Sequence, residues 1–381
     1  MSSVGRGRAV VDALSSGLDR MLLSAGGPKP RPTAVDPADH ARRLRALREL
    51  AEELHGYTPD ELWPAPRGLL VDDAACIGER RGTVSVEWRS GHEPLLGSAV
   101  RARLGDPRSA AAARARLSEP QNATAVARLF RSREPRKGTA VTGVLRSKPR
   151  GAVLLVHGYR GGRAGLERLL WPTSMIRRLG FDPCWPVLPF HGKRRTRRPG
   201  RPIFPGSNVA INVEALRQSV CDIRELVLWL RAIGYQEVGI AGFSLGGYVA
   251  ALAATLEPRL DFAVAIAPCA SLARFARQQG LLGGEPTCAE LEAALDACYE
   301  PVSPLVRKSL VPPERWFVLV GQGDAVTGTA HARRLAAHTG AALWTGAGGH
   351  VLQAWRRRAW APLQGFVATC RSRPLDGQAA S

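Results

Sequence analysis

From residue 150 onward the chain repeats one pattern: a short unbroken apolar run, a glycine or polar stop, then a helical stretch. The runs are GAVLLVHG (151–158), FDPCWPVLPF (181–190), EVGIAGF (237–243), DFAVAIAP (261–268), RWFVLVGQGD (315–324) and AALWTGAGG (341–349). A strand built from consecutive apolar residues has no polar face, so it must be covered on both sides. Between two of the runs, Leu216, Val220, Ile223, Val227 and Leu230 recur at helical spacing and stop at Gly234. Strands alternating with helices predict an α/β fold with a mostly parallel central sheet flanked by helices. Ligands of such sheets bind outside the carboxyl ends of the strands, so the residues just past each run matter most.

Past the third run stands Gly242-Phe243-Ser244-Leu245-Gly246, with the helical LGGYVAALAATL directly behind it. A G-x-S-x-G stretch between a strand and a helix is a tight turn that lifts its serine above the sheet, glycines removing the Cβ atoms that would clash. A serine hydroxyl is a weak nucleophile: it needs a base, and the base needs an orienting partner. Asp324 follows the fifth run and His350 follows the sixth. His331 and His338 fall together on a helical stretch, which disfavours them as the base. Asp324 has a second reading, as the cap of a helix starting near Thr327. Upstream, His157-Gly158-Tyr159 closes the first run, so the backbone N–H groups of Tyr159 and Leu245 are candidates for an oxyanion hole.

Over residues 150–371 the chain resembles the α/β-hydrolase superfamily, through LLVHGYRGG, GFSLGG, VGQGD and GGH. The order Ser244, Asp324, His350 is that of the superfamily. The resemblance is to the dienelactone-hydrolase and prolyl-oligopeptidase type rather than to lipases with an H-G-G-G motif. LPFHGKR and FPGSN are similar to bacterial abhydrolase-domain proteins. It implies a serine hydrolase acting on a small-molecule carboxylic ester or thioester without a cofactor. Three alternatives remain open: an acyltransferase, a small-peptide hydrolase, and a non-catalytic protein binding polyanions through a basic surface.

The expected organisation is an N-terminal extension, residues 1–120, followed by a hydrolase domain, 121–381, with a helical lid insertion at 272–311. In the extension, Leu44, Leu47, Ala51 and Leu54 mark an amphipathic helix, GTVSVEW (82–88) alternates like a strand, and 98–121 is helical in pattern. TAVARLF and TAVTGVLR predict two antiparallel strands across RSREPRKG. Leu14, Leu18, Met21 and Leu22 suit docking, dimerisation or contact with a membrane surface.

The net charge of +20 is nearly all arginine, spread along the chain without a nucleic-acid motif or interleaved aromatics, so nucleic acid is disfavoured as a partner. The charge is densest in HGKRRTRRPGRP (191–202), where His191, Arg194 and Arg195 are candidates to meet an anionic part of the substrate. The seven cysteines are odd in number and lack C-x-x-C spacing, which predicts reduced thiols and a cytoplasmic protein. Asp12 and Asp19 interrupt any signal-peptide core. No H-x-H or H-E-x-x-H pair suggests zinc. GYRGGRAG lacks the Lys-Ser/Thr of a P-loop, and Val326 breaks GQGDAV as a dinucleotide motif.

Overall fold

The computed structural model describes residues 11–20, 36–67, 75–80, 83–95, 119–131, 151–195, 202–351, 353 and 358–372. Among these, nine strands form one sheet in the order β1-β2-β3-β5-β4-β6-β7-β8-β9. The strands are β1 (Ala75–Arg80), β2 (Thr83–Arg89), β3 (Thr124–Phe130), β4 (Gly151–Val156), β5 (Phe181–Pro186), β6 (Val238–Phe243), β7 (Phe262–Ile266), β8 (Trp316–Gly321) and β9 (Ala342–Gly346). The β1/β2, β2/β3 and β3/β5 pairs are antiparallel; from β5 to β9 every pair is parallel. This is the architecture of an α/β hydrolase.

The six apolar runs are the six parallel strands; β4 to β8 are buried on both faces, whereas β9, at the edge of the sheet, is only partly buried. Ala152, Leu154 and Val156 of β4 enter one core, while Val153 and Leu155 enter the other. On β8, Trp316, Val318 and Val320 face the first core and Phe317 and Leu319 the second. Each valine, leucine and phenylalanine among them stabilises the fold by about 1.5–3 kcal/mol relative to exposure. The chain passes from β4 to β5 on one side, then crosses back to β6 on the other. The ends of β4 and β6 therefore flank the switch in strand order, where a crevice opens.

The principal helices are α1 (11–20), α2 (Pro37–His55), α3 (Val209–Ala232), α4 (Leu245–Ala254), α5 (Leu272–Gln278), α6 (Thr287–Tyr299), α7 (Gly328–Thr339) and α8 (Trp360–Ser372). Between β4 and β5 the chain forms two short helices, Ala164–Leu170 and Thr173–Arg178, broken at Trp171-Pro172. The amphipathic helix of the extension, α2, buries Leu44, Leu47, Leu50 and Leu54. It packs along α6 within the 272–311 insertion, with His40 meeting Glu290 at 2.7 Å and the Cys298 thiol donating to Leu47 O at 3.0 Å.

β2 pairs with β3 over seven residues, so the division expected at residue 120 falls between neighbouring strands of one sheet. The extension also satisfies polar groups buried along α3. Trp88 Nε1 donates to Glu225 at 2.8 Å, Ser90 Oγ to Asp222 at 2.5 Å and Leu95 N–H to Glu214 at 2.9 Å. The helix expected at 98–121 and the strand expected at TAVTGVLR lie largely or wholly outside the described residues.

Candidate active site

Ser244 sits between β6 and α4 with φ 56° and ψ −114°, a left-handed backbone that a non-glycine residue rarely adopts. Such a conformation costs about 1–3 kcal/mol and persists only where the surroundings enforce it. Here its N–H donates to Ile266 O at 2.9 Å, and its carbonyl accepts from Gly247 N–H at 2.9 Å and Cys269 N–H at 3.3 Å. A serine preceding a helix ordinarily spends its hydroxyl on capping. Ser244 makes no side-chain cap bond to α4, so its Oγ is not spent on the helix.

The flanking glycines are steric requirements. A Cβ at Gly242 would overlap the Gly246 carbonyl, and one at Gly246 would overlap the Val156 carbonyl and lie 2.7 Å from His157 O. The turn is thus pressed onto the end of β4. Gly246→Ala is expected to force α4 away from β4 and destabilise the fold by about 3 kcal/mol, measured as a lowered denaturant midpoint. An unchanged midpoint would refute that close approach.

Asp324 and His350 meet beyond the ends of β8 and β9. His350 Nδ1 donates to Asp324 Oδ2 at 2.9 Å, and both side chains are buried. A carboxylate only accepts, so Nδ1 carries the proton and Nε2 is left as the basic atom. The His350 ring lies 4.9 Å from the ring of Phe243, next to Ser244. Asp324 also holds the turn that leads into α7. Its Oδ1 accepts from Val326 and Thr327 N–H at 2.9 Å and from Gly328 N–H at 3.2 Å, while Thr327 Oγ1 donates to Oδ2 at 2.9 Å. Burial pushes the Asp324 carboxyl up, but the His350 hydrogen bond and charge, with Gly328 and Thr327, outweigh it and hold it below the usual range. The other histidine on that side, His331, accepts at Nδ1 from Ala270 N–H at 3.0 Å and pairs through Nε2 with Gln278 at 3.0 Å, rather than with Asp324.

The first N–H of a helix has no intrahelical partner, which leaves that of Leu245 available. Tyr159 lies three residues past β4, and Gly158 packs against Phe243: a Cβ there would lie 3.0 Å from its ring. Behind this loop is His157, a scaffold residue that sequence reasoning passed over. Its Nδ1 donates to Gly158 O at 2.8 Å and its Nε2 accepts from Leu188 N–H at 3.1 Å. Burial, with Arg194 nearby, lowers its pKa to about 4 and keeps it neutral.

The basic loop divides. Arg194 does not face substrate: it is 1% exposed and pairs with Asp222 at 2.6 Å. It also donates to the carbonyls of Asn122 and Val187 at 2.7 and 2.9 Å. A guanidinium supplies five donors, and three acceptors from separate segments take them inward, which corrects its expected role. His191 is fully buried against His157 and Tyr159, with ring centroids 5.1 and 6.0 Å away. Burial lowers its pKa to about 3. Of the three candidates Arg195 is the one that borders open space, lining a cavity of about 140 Å³ with Arg160 and Arg163.

A second cavity of about 990 Å³ lies among α2, α5 and α6, lined by Leu47, Val209, Leu272, Phe275, Leu291 and Leu295, and none of Ser244, Asp324 or His350 borders it. Burial pushes the Cys269 thiol up to about 12, which makes it no rival nucleophile. Among the described residues, no group of three or more His, Cys, Asp or Glu is arranged to hold a metal ion. Nor is any described helix long and apolar enough to cross a membrane.

A family model, alpha/beta hydrolase domain containing 18, matches residues 172–277, a stretch that includes Ser244 but ends before Asp324. Uncharacterized proteins MT2702 and Rv2627c, from two strains of Mycobacterium tuberculosis, are each 35% identical over 180 residues, 46% of this chain. The match spans 43% of each relative's length. Among solved structures, Est1E from Butyrivibrio proteoclasticus with bound ferulic acid aligns with TM-score 0.47 at 14% identity, covering 66% of this chain and 96% of that one. An acetyl xylan esterase from Paenibacillus sp. R4 aligns with TM-score 0.49 at 11% identity, covering 88% and 96%.

Proposed function

We propose that this chain, which belongs to the α/β-hydrolase superfamily, is a serine hydrolase that cleaves a carboxylic ester or thioester through an acyl-enzyme. The observation that carries the reading is the 2.9 Å bond from His350 to Asp324, in a chain whose Ser244 keeps its hydroxyl off the helix it precedes. Ser244 Oγ attacks the substrate carbonyl carbon while His350 Nε2 takes the hydroxyl proton. The Tyr159 and Leu245 N–H groups hold the oxyanion. As the carbonyl re-forms, the bond to the alkoxide or thiolate breaks and His350 returns the proton to it. Water, activated by the same nitrogen, then releases the acid and regenerates the serine. Arg195, Arg160 and Arg163 supply positive charge for an anionic group on the substrate.

The test is labelling with a fluorophosphonate probe, which reacts with activated serines. The native chain is expected to label and Ser244→Ala to lose all labelling with its fold intact. A folded native chain that stays unlabelled refutes the reading. Labelling followed by a panel of neutral esters, thioesters and dicarboxylic half-esters then separates the substrate classes.

A further inference from the structure

Asp12 and Asp19, acidic residues near the start of the chain, reach the site from a distance of more than 300 residues. Asp19 is fully buried and accepts from three backbone N–H groups: His350 at 2.7 Å, Val351 at 3.0 Å and Ala325 at 3.1 Å. Two of these donors belong to the His350 loop and one to the Asp324 loop, so a single carboxylate ties both together. Asp12 Oδ1 accepts from Gly348 N–H at 2.6 Å, and Ser16 Oγ donates to Gly323 O at 2.6 Å. Both loops carry glycine where α1 touches them. A Cβ at Gly323 would lie 2.6 Å from Asp12 O, and one at Gly349 would lie 2.6 Å from Asp19 Oδ2.

The helix docks by its polar face. Ser15 and Asp19 are buried, Leu18 is half-buried and Leu14 is 67% exposed. Hydrophobic docking, for which its leucines suit it, would turn it the other way. Met21 and Leu22 lie outside the described residues. Charge-assisted bonds to backbone N–H groups are strong and directional, and they fix loops rather than merely cover them.

We infer that Asp19 is a positioning residue: on α1, it locks the loops bearing Asp324 and His350 into their mutual placement, so that the N-terminal helix completes the hydrolytic site. The inference rests on the proposed triad for its catalytic consequence, while the brace itself stands on geometry. A displacement of about 1 Å in a catalytic group costs roughly a hundredfold in rate.

The test compares native protein with Asp19→Ala, Asp19→Asn and Gly323→Ala, reading probe labelling, ester hydrolysis, and hydrogen exchange of peptides covering 321–327 and 346–351. Asp19→Ala should lower kcat about a hundredfold with KM within about twofold and speed exchange in both peptides. Asp19→Asn, keeping one acceptor oxygen, should recover part of kcat. Gly323→Ala, which wedges α1 outward without touching Asp19, should reproduce the same pattern. Leu14→Ser, on the exposed face, should behave as native. If the native chain labels and Asp19→Ala keeps native kcat, the inference is overturned. If the native chain does not label, the proposed function has failed by itself. The brace then stands or falls on exchange: faster in both peptides supports it, and unchanged exchange overturns it.

Discussion

Asp324→Asn is expected to lower kcat for ester hydrolysis about ten-thousand-fold while costing the fold only about 1–2 kcal/mol. The two outcomes separate because the two carboxylate oxygens do different jobs. Oδ1 receives the N–H groups of Val326, Thr327 and Gly328, and an asparagine oxygen can continue to receive them. Oδ2 receives His350 Nδ1–H. With the amide oxygen held by the turn, the NH₂ group faces His350 and demands an acceptor at Nδ1. The proton then moves to Nε2, and the base is lost while its position is kept. Steady-state kinetics beside urea unfolding checks both parts. A variant that loses stability and activity in parallel would mean that Asp324 serves only to hold that turn.

Acid should unfold this protein more steeply than its carboxylates alone would cause. Burial holds His157 and His331 near a pKa of about 4 and His191 near about 3, with neighbouring arginines pushing the same way. Their pKa values are lowered on folding, so the unfolded chain binds the extra protons. The stability is complete above an ordinary histidine pKa of about 6.5 and is lost as pH falls towards 4. Each histidine contributes a slope of about 1.4 kcal/mol per pH unit in that window; Glu225, whose carboxyl burial raises to about 7, takes up a proton on folding over the same range and offsets one of them, leaving at most roughly 3 kcal/mol per unit. Asp324, whose carboxyl is lowered, adds to the loss only below about pH 4. Urea midpoints measured from pH 7.5 to 4.5 should fall accordingly, and His331→Gln should remove about one proton from the slope. A midpoint that does not move between pH 7 and 5 would mean these histidines are solvated.

The parallel strands were legible because a strand covered on both faces must be apolar at consecutive positions, and no other element of that length reads the same way when glycine ends it. Once the strands were placed, Ser244, Asp324 and His350 followed as the residues just beyond β6, β8 and β9. The α2 helix was legible for a similar reason: its leucine spacing reports the face it buries. Its partner was not. Nothing in Leu44 or Leu47 says that the surface they meet is α6.

Charged side chains were the unreadable class. Arg194 and Arg195 are neighbours in one basic run, yet one is sealed against Asp222 and the other borders a cavity. Asp12 and Asp19 read as polar interruptions of a leader; in the folded chain they hold the turns beside Asp324 and His350. The strand 82–88 was visible, but its seven-residue pairing with β3 came only with the fold.

What the sequence by itself determined was therefore everything that depends on local periodicity: the parallel strands, the turn at Ser244, and the order in which Ser244, Asp324 and His350 emerge from the sheet. What only the tertiary structure decided was which charges are buried and which segment holds the loops of Asp324 and His350. Apolar periodicity is written by a residue's own burial and recurs along the chain. A buried charge is permitted only by its partners, and those of Asp19 stand 306 to 332 residues away.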